Sequence, residues 1–397
     1  MRFPEFSDPW QQTTLGEIGA YLRGVTYSSS DISQYGIPIM RATNINSGTT
    51  LNYTSDVIRA NARIAKNQIL QKGDIVICAA NGSSDLVGKN SYYDGSSKEP
   101  ITVGAFCGIY RSECILSRWI FQTYLYRKYI QTAIQGGNGS IANLKPTVVL
   151  EQVYALPSLA EQRKIAEFLS LIDERIETQR QTIEERKKQK KALLHQIFSQ
   201  SLRFPDFSDP WQQTTLGEVA EITSGYSGEQ EQIETPYRVS RIETISSGAI
   251  DINRVGFVPY DTRLEGYKLS LGDILFSNIN SIEHIGKSAI VSKPMDLYHG
   301  MNLLRLKVIN AEPYILYSHF QRDVVRNRFR SIANKAVSQA SINQTALGKE
   351  SVSLPSLAEQ RKIAEFLSLI DERIEVEEKL LGKYEEQKKY LLRKMFV

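Results

Sequence analysis

Two polar loops at equivalent points of the chain carry side chains that could recognise a ligand by hydrogen bonding. Each loop follows an apolar run that begins with Gly-Asp-Ile, and each ends in Gly-Lys. Their candidate residues are Asn81, Ser83 and Lys89 in the first loop and Asn278, Asn280 and Lys287 in the second. Arg, Lys and Asn read base edges in the major groove of DNA, and Arg, Lys and Ser also bind phosphates. The loops could therefore recognise nucleic acid, although loops of this composition also form simple turns.

Further candidates come from segments that can be aligned between the two halves of the chain. RATNINSG (41–48) aligns with RIETISSG (241–248), and IANLKPTVV (141–149), at the end of the polar stretch 136–145, aligns with QASINQTAL (339–347). These segments and the basic stretch 322–335 add Arg41, Asn143, Lys145, Arg241, Lys335, Gln339 and Asn343 as candidate DNA contacts. A run of arginines on a helix is usually a solvated face, so the basic stretch does not by itself establish DNA binding.

No motif in the sequence fits an enzyme active site. Gly-Lys-Ser at 286–288 suggests a phosphate-binding loop, but Ser281 stands where that motif requires its first glycine. In the first half, Gly82 and Gly88 are one residue too far apart for the same motif. None of the four histidines has metal-ligand spacing with the cysteines. We therefore expect a binding and assembly protein that is not an enzyme and holds no metal or cofactor of its own.

The composition is that of an ordinary soluble protein. Hydrophobic residues make up 41% and charged residues 23% of the 397 residues, and the net charge of +4 is only mildly basic. The sequence lacks an apolar run long enough to span a membrane and does not begin with an apolar signal segment. Three cysteines, all in the first half, favour a reducing compartment over a disulfide framework. We expect a cytoplasmic protein.

Two repeated blocks show that the chain is an internal duplication. LPSLAEQRKIAEFLSLIDERIE occurs without a change at 156–177 and at 354–375. RFPEFSDPWQQTTLGEI (2–18) returns at 203–219 with two conservative differences. Each half therefore consists of a shared opening block, a divergent region, and a shared block with its tail.

The shared second block predicts a long helix in each half. Ser158 and Ser356 are suitable N-caps, each with a glutamate three residues later. A pattern of three- and four-residue steps then continues for about 40 residues, which is typical of a coiled coil. In the first helix its apolar positions are Leu169, Ile172, Ile176, Ile183, Leu193 and Ile197, and Gln179, Arg186 and Lys190 occupy the intervening positions. We predict an antiparallel coiled coil of the two helices. The order of the blocks is circular, so we also predict approximate two-fold symmetry with neighbouring chain ends.

The divergent regions predict compact α+β domains. Strands are predicted at 37–40, 74–78, 102–110 and 148–154 in the first region and at 237–242, 273–276, 288–291 and 303–308 in the second. A helix is predicted at 117–134 and another at 314–333. The predicted division of the chain is a first recognition domain (1–156), a first long helix (157–200), a second recognition domain (201–354) and a second long helix (355–397).

The charged residues at the start of each long helix are identical in the two copies. We predict that they bind two copies of one partner; they are Glu161, Arg163, Lys164, Glu167, Glu359, Arg361, Lys362 and Glu365. The alternative is that these residues match only because the duplication is recent or is kept alike by recombination.

The duplicated pattern LP-x-L-x-EQ-x-x-IA, at Leu156–Ala166 and Leu354–Ala364, resembles the segment that follows each recognition domain in type I restriction–modification specificity subunits. The resemblance covers essentially the whole chain. It implies that each domain binds one half of a split, asymmetric DNA site and that the coiled coil sets the spacing between the halves.

The same resemblance implies the partners. Two modification subunits would bring S-adenosylmethionine and methylate adenine N6, and two restriction subunits would bring ATP and Mg²⁺; none of these cofactors is expected on this chain. One alternative is a scaffold that binds protein instead of DNA through its polar loops. A fused restriction–methylation enzyme is disfavoured, because the sequence has no methyltransferase motif.

Overall fold

The computed structural model describes residues 2–134, 142–336 and 339–396. The chain forms two compact units. The first unit comprises Met1–Arg180 and Leu380–Val397, and the second unit comprises Gln181–Lys379. Each unit therefore takes one segment from each of two long helices.

The first unit contains eleven described strands, four complete α-helices and a segment of each of the two long helices. The strands are β1 (Gln11–Thr14), β2 (Gly19–Arg23), β3 (Ile32–Met40), β4 (Ile58–Ala60), β5 (Ile75–Cys78), β6 (Ala80–Asn81), β7 (Asn90–Tyr92), β8 (Thr102–Val103), β9 (Cys107–Ser112), β10 (Ala142–Asn143) and β11 (Val153–Leu156). The helices are α1 (Leu15–Ile18), α2 (Ser117–Ile120), α3 (Tyr124–Ile134), α4 (Pro146–Leu150) and α5 (Leu159–Phe198).

An antiparallel sheet in the order β2-β9-β5-β7 forms the centre of the first unit. A second sheet, β4-β3-β8, contains one parallel pair, and β1 pairs with β11 to bring the opening block to the start of α5. Tyr110, Phe121 and Tyr126 pack at 4.8 Å between successive ring centroids in the core beneath the four-stranded sheet. The Tyr110 hydroxyl donates a 2.8 Å hydrogen bond to the carbonyl of Leu15, so the only polar atom of this buried ring has a partner.

The second unit repeats this plan with different loops. Its strands are β12 (Gln212–Thr215), β13 (Ala220–Ser224), β14 (Arg238–Val239), β15 (Gly256–Phe257), β16 (Ile274–Phe276), β17 (Ile279–Asn280), β18 (Ser288–Ile290), β19 (Leu304–Val308), β20 (Asn334–Lys335), β21 (Ala340–Ser341) and β22 (Ser351–Leu354). Its helices are α6 (Leu216–Val219), α7 (Pro313–Phe320), α8 (Asp323–Ile332), α9 (Gln344–Gly348) and the first part of α10 (Leu357–Met395). The sheet β13-β19-β16-β18 corresponds strand for strand to β2-β9-β5-β7.

The two long helices run antiparallel within each unit. In the first unit Asp173 of α5 pairs with Lys388 of α10 at 2.6 Å, and Arg180 pairs with Glu385 at 2.6 Å. Since residue numbers rise along α5 while they fall along α10, the two segments point in opposite directions. In the second unit the pair Lys190–Asp371, at 2.5 Å, is the exact repeat of Asp173–Lys388 by sequence offset. The antiparallel direction was predicted; knobs-into-holes coiled-coil packing stays a prediction.

Both ends of the chain contribute to the core of the first unit. Phe3 packs against the cluster that contains Met395 and Phe396, so the chain ends belong to one structural unit as the circular block order predicts. The α+β class is also confirmed, with the strands predicted at 37–40, 74–78, 273–276, 288–291 and 303–308 present within one or two residues, apart from a five-residue extension of the first towards Ile32. The division of the chain into four domains stays a prediction.

Five predicted elements were wrong in detail, one of them the strand predicted at 237–242, of which only Arg238–Val239 forms a strand. Residues 148–154 are not one strand, because Pro146 occupies the first turn of α4 and β11 begins only at Val153. The helix predicted at 117–134 is two helices, because the Thr123 hydroxyl caps α3 by accepting the Tyr126 N–H at 3.1 Å. The helix predicted at 314–333 is likewise divided into α7 and α8, and the strand predicted at 102–110 is divided into β8 and β9.

Candidate nucleic-acid interface

In the first unit, pairing of two very short strands brings predicted DNA contacts together. Asn81 of β6 lies opposite Ala142 of β10, and Asn143 lies opposite Ala80. The Asn81 side chain accepts the N–H of Ser83 at 3.0 Å, which orders the loop that follows. Asn143, Ser83 and the nearby Lys145 are exposed. The glycine-rich part of the predicted loop, residues 136–141, lies outside the described residues.

A groove of about 600 Å³ connects this strand pair to Arg41. Its walls include Tyr27, Arg41, Asn81, Gly82 and Phe106. The Arg41 guanidinium donates to the carboxylate of Asp56 at 2.8 Å, and both groups are more than one-third exposed. A solvent-exposed ion pair of this kind contributes little to stability, so the guanidinium can exchange its partner for a ligand at small cost. Arg41 and Asn81 thus face one ligand-sized space, as base-reading residues would need to.

In the second unit the corresponding strands form a small three-stranded sheet, β17-β21-β20. Asn280 and Lys335 both lie opposite Ala340, on either side of the central strand. The remaining candidates nearby are Asn278, which bonds to Ile342, the exposed Gln339, and Asn343, whose side chain caps α9 by accepting the N–H of Ala346 at 2.8 Å. Asn280 occupies the position of Asn81 in the first unit, so the two interfaces have the same framework.

Two predicted contacts, Lys89 and Lys287, do not join these clusters, whereas Arg241 is held by a hydrogen bond within the second unit. Arg241 donates to the side chain of Gln230, and the Lys287 ammonium donates to the Ser246 carbonyl at 2.8 Å. Lys89 lines a different cavity of the first unit, beside Arg180 of α5. The cause is the glycine before each lysine, which has φ +79° and turns the chain away from the polar loop. A Cβ at Gly88 would lie 2.6 Å from Ile130, and at Gly286 2.8 Å from Phe329, so the Gly-Lys pairs are structural turns.

Two of the residues that were predicted to bind partners are not on the surface. Glu161 and Glu359 are buried. Arg2 donates two hydrogen bonds to Glu161, at 2.9 and 2.8 Å, and Arg203 donates two to Glu359, at 3.0 and 2.7 Å. These carboxylates therefore fasten the opening block of each half to its long helix. For the exposed members partner binding stays a prediction; they are Arg163, Lys164, Glu167, Arg361, Lys362 and Glu365.

The structure adds aromatic side chains that sequence reasoning missed. Phe106 lies on the turn between β8 and β9, in the groove with Arg41 and Asn81, and is 65% exposed. Tyr27 lines the same groove. The sequence signal was weak, because GAFC (104–107) reads as part of an apolar strand and does not reveal that one residue of it turns outwards.

Three arginines of the basic stretch lie on one face of α8 and its N-cap. Arg322, Arg326 and Arg330 follow each other at four-residue steps. Burial lowers the pKa of Arg322 and Arg326. In the described part of the chain none of the three lies within ion-pair distance of a carboxylate, whereas Arg328 pairs with Glu350 at 2.8 Å. The three arginines hydrogen-bond only to uncharged groups, such as Gln321 and the Glu283 carbonyl.

Within residues 2–134, 142–336 and 339–396, none of the helices combines the length and apolar character that crossing a membrane requires. The same residues contain no group of three or more His, Cys, Asp or Glu side chains arranged to hold a metal ion.

Comparison with known proteins identifies relatives over nearly the whole chain. A putative type I restriction enzyme MjaX specificity subunit from Methanocaldococcus jannaschii is 41% identical over 198 residues, which is 48% of this chain and 46% of that protein. The type I restriction enzyme EcoKI specificity subunit from Escherichia coli is 26% identical over 89% of this chain and 80% of its own length. The first match thus spans about half of that relative.

Solved structures show a similar fold. The S subunit of a type I restriction–modification system from M. genitalium superposes with a TM-score of 0.56 at 16% identity, covering 100% of this chain and 99% of that one. The sequence profile of the type I restriction modification DNA specificity domain matches residues 7–186 and 208–386, one match in each half of the duplication. The chain therefore belongs to the type I restriction modification DNA specificity domain family.

Proposed function

We propose that this chain is the DNA sequence-specificity subunit of a type I restriction–modification complex, and that each unit reads one half of a bipartite, asymmetric DNA site. The observation that carries this proposal is the contrast between framework and interface. Asn81 and Asn280 occupy equivalent positions on equivalent strands. Beside them, Asn143 is replaced by Ser341 and Lys145 by Asn343. A common framework with different hydrogen-bonding groups is suited to reading two different base sequences.

The long helices would set the distance between the half-sites, since each helix contributes a segment to both units. Two sequence readers on one duplex face bind best about one helical turn apart, roughly 34–36 Å. The adenine that is methylated must leave the base stack, so the assembled complex would also deform the duplex. This chain supplies the reading and the spacing and does not itself catalyse the reaction.

The partners follow from the same proposal. Two modification subunits would dock on the duplicated exposed charges that include Arg163 and Arg361, and two restriction subunits would complete the complex in the cytoplasm. S-adenosylmethionine, ATP and Mg²⁺ would be held by those subunits. The alternative of a scaffold that does not bind DNA gains no support, because the named relatives are specificity subunits of restriction enzymes.

Methylation mapping tests the proposal directly. Cells that express the modification subunit with this chain should acquire one bipartite adenine-methylated motif that is absent when the chain is omitted. Replacing residues 214–353 with the corresponding region of a relative should change one half of the motif and leave the other half intact. An unchanged methylation pattern would contradict the specificity role, and a change in both halves would contradict the assignment of one unit to one half-site.

A further inference from the structure

The turn between β8 and β9 holds Phe106 rigidly beside a candidate base-reading residue. The backbone N–H groups of Ala79 and Ala80 both donate to the Phe106 carbonyl, at 2.8 and 3.1 Å. The N–H of Cys107 closes the turn by donating to the Gly104 carbonyl at 2.8 Å. Because Ala80 is the residue before Asn81 in β6, the backbone of Phe106 is fixed relative to the Asn81 side chain.

The ring of Phe106 nevertheless points into the open groove. It is exposed, while the residues before and after the turn, Val103 and Cys107, are buried. Exposing a large apolar ring to water is unfavourable compared with burying it. Single exposed apolar residues are common on protein surfaces, but this one shares a groove with a guanidinium and an amide that can bind bases. The groove therefore offers one apolar contact together with two polar ones.

The second unit has a different side chain at this point. Val25 forms an isolated β-bridge with Gly104, and Tyr226 forms the equivalent bridge with Gly300, so the turn Gly300–Asn302 corresponds to Gly104–Phe106. Asn302 is exposed and has φ +66°, a left-handed conformation that asparagine tolerates better than most residues. One unit thus presents an apolar ring where the other presents an amide.

We propose that Phe106 contacts the 5-methyl group of a thymine in the half-site read by the first unit. The inference rests on the proposed function, because it assumes that the groove receives DNA. The thymine methyl is the apolar feature of a base edge in the major groove, and aromatic or small apolar side chains are its usual partners. Asn81 and Arg41 on the neighbouring walls bind the hydrogen-bonding edges of adjacent bases, while the second unit recognises no thymine methyl at the corresponding position.

The test uses the complex of this chain with its modification subunits and a duplex that carries the mapped motif. Each thymine in the half-site of the first unit, on either strand, is replaced in turn by uracil, which removes only the methyl group. With the wild-type chain, one replacement should lower affinity roughly four-fold, as expected for one buried methyl group. With Phe106→Ala the same replacement should have no effect.

Two further variants serve as controls. Phe106→Leu keeps an apolar side chain and should retain part of the preference for thymine over uracil. Asn302→Gly removes the equivalent side chain of the second unit, keeps a residue that suits φ +66°, and should retain the full preference in the first half-site. Because both side chains are exposed, all of these variants should unfold at the temperature of the wild-type chain.

Several results would overturn the proposal. Uracil replacement could weaken binding equally with the wild-type chain and with Phe106→Ala, or no thymine of that half-site could respond. Loss of the modification subunits from Phe106→Ala would assign the ring to a protein interface instead. These results leave the proposed function intact, whereas the absence of any bipartite methylated motif with the wild-type chain refutes the proposed function itself.

Discussion

His299 is a buried imidazole immediately before the turn that carries Asn302. Its Nε2 lies 3.0 Å from the Leu303 carbonyl, so this nitrogen carries the proton, and its buried Nδ1 has no hydrogen-bond partner among the described residues. Burial, together with the charge of the nearby Arg305, lowers the pKa of His299 to about 4. In the first unit the equivalent position is Val103, which is also buried. An apolar side chain of that size therefore fits the same turn.

The buried imidazole predicts an acid-sensitive component of stability. The unfolded chain binds the proton near pH 6.5 and the folded chain only near pH 4. The free energy of unfolding should therefore fall as the pH falls between these values, by about 3 kcal/mol from this group. His299→Val should remove this component, which urea unfolding of the second unit at pH 7.5 and pH 4.5 would measure. A substitution at the exposed His195 should leave the dependence intact, and equal pH dependence in wild type and His299→Val would contradict the assignment.

At the scale of elements, the repeated acidic position Asp173/Asp371 joins three structural elements in each unit. Asp173 of α5 accepts the indole N–H of Trp119 at 3.0 Å and pairs with Arg118 at 3.0 Å and with Lys388 of α10 at 2.6 Å. Asp371 of α10 is bound by Lys190 of α5 and by the hydroxyl of Tyr314 on α7. The pair of a carboxylate with a lysine of the other long helix is common to both units. The donors from the rest of the unit differ: they are Trp119 and Arg118 in the first unit and Tyr314 in the second.

Breaking one of these pairs should destabilise the unit that contains it. Asp173 and Lys388 are both largely buried, and burial lowers the pKa of Lys388 despite its carboxylate partner. Asp173→Ala leaves two cations without their carboxylate and should cost about 3–5 kcal/mol. Lys388→Met should lower the free energy of unfolding by less than Asp173→Ala does. The loss in the double variant should be smaller than the sum of the two single losses by about 0.5–3 kcal/mol.

Urea unfolding of the four chains measures this coupling. Lys379→Ala is a suitable control, because Lys379 forms an exposed pair with Glu375 on the same helix and should change stability by less than about 1 kcal/mol. Strict additivity of Asp173→Ala and Lys388→Met would show that the two residues are not coupled. The equivalent cycle at Asp371 and Lys190 should give a coupling of the same sign.

The long helices could be predicted from sequence because their signals are local. The serine cap and the three- and four-residue apolar steps lie within the segment itself, and α5 begins one residue after Ser158. The pairing of β6 with β10 could not be predicted, because it joins residues about 60 positions apart through two-residue strands. For the same reason the sequence predicts Asn81 and Asn143 as separate DNA contacts and does not show that they lie on paired strands.

Errors in the candidate site have the same origin. Glu161 is charged and lies in the first turn of a helix, which is the usual composition of a solvated face; its burial depends on Arg2, 159 positions away. Lys89 belongs to the polar loop by sequence but is turned away from it by Gly88 at φ +79°. Phe106 was missed for the opposite reason, since an apolar residue within an apolar run gives no sign of exposure. The sequence thus predicted which types of residue form the site better than it predicted where their side chains point.

For the whole molecule, the duplication makes the two junctions between long helix and opening block equivalent. Phe198 near the end of α5 corresponds to Phe396, and Arg203 corresponds to Arg2. Arg203 comes five positions after Phe198, whereas direct joining of the chain ends would place Arg2 three positions after Phe396. Two added residues therefore restore the spacing. Gln200, at the first of these two positions, has φ +61°, which favours glycine. A Gly-Ser linker therefore suits the new junction.

A circularly permuted chain should consequently keep its structure and specificity. Such a chain begins at Ser201, passes from Val397 to Met1 through the Gly-Ser linker, and ends at Gln200. It preserves both buried pairs, Arg2–Glu161 and Arg203–Glu359, and interrupts no described strand or helix. Together with the modification subunit it should produce the same bipartite methylated motif with the same spacing between its halves. A second permutant opened between Val76 and Ile77, inside the buried strand β5, should fail to fold. If the first permutant folded but methylated a motif with altered spacing, the covalent position of the junction would help to set that spacing, and the two junctions would not be equivalent.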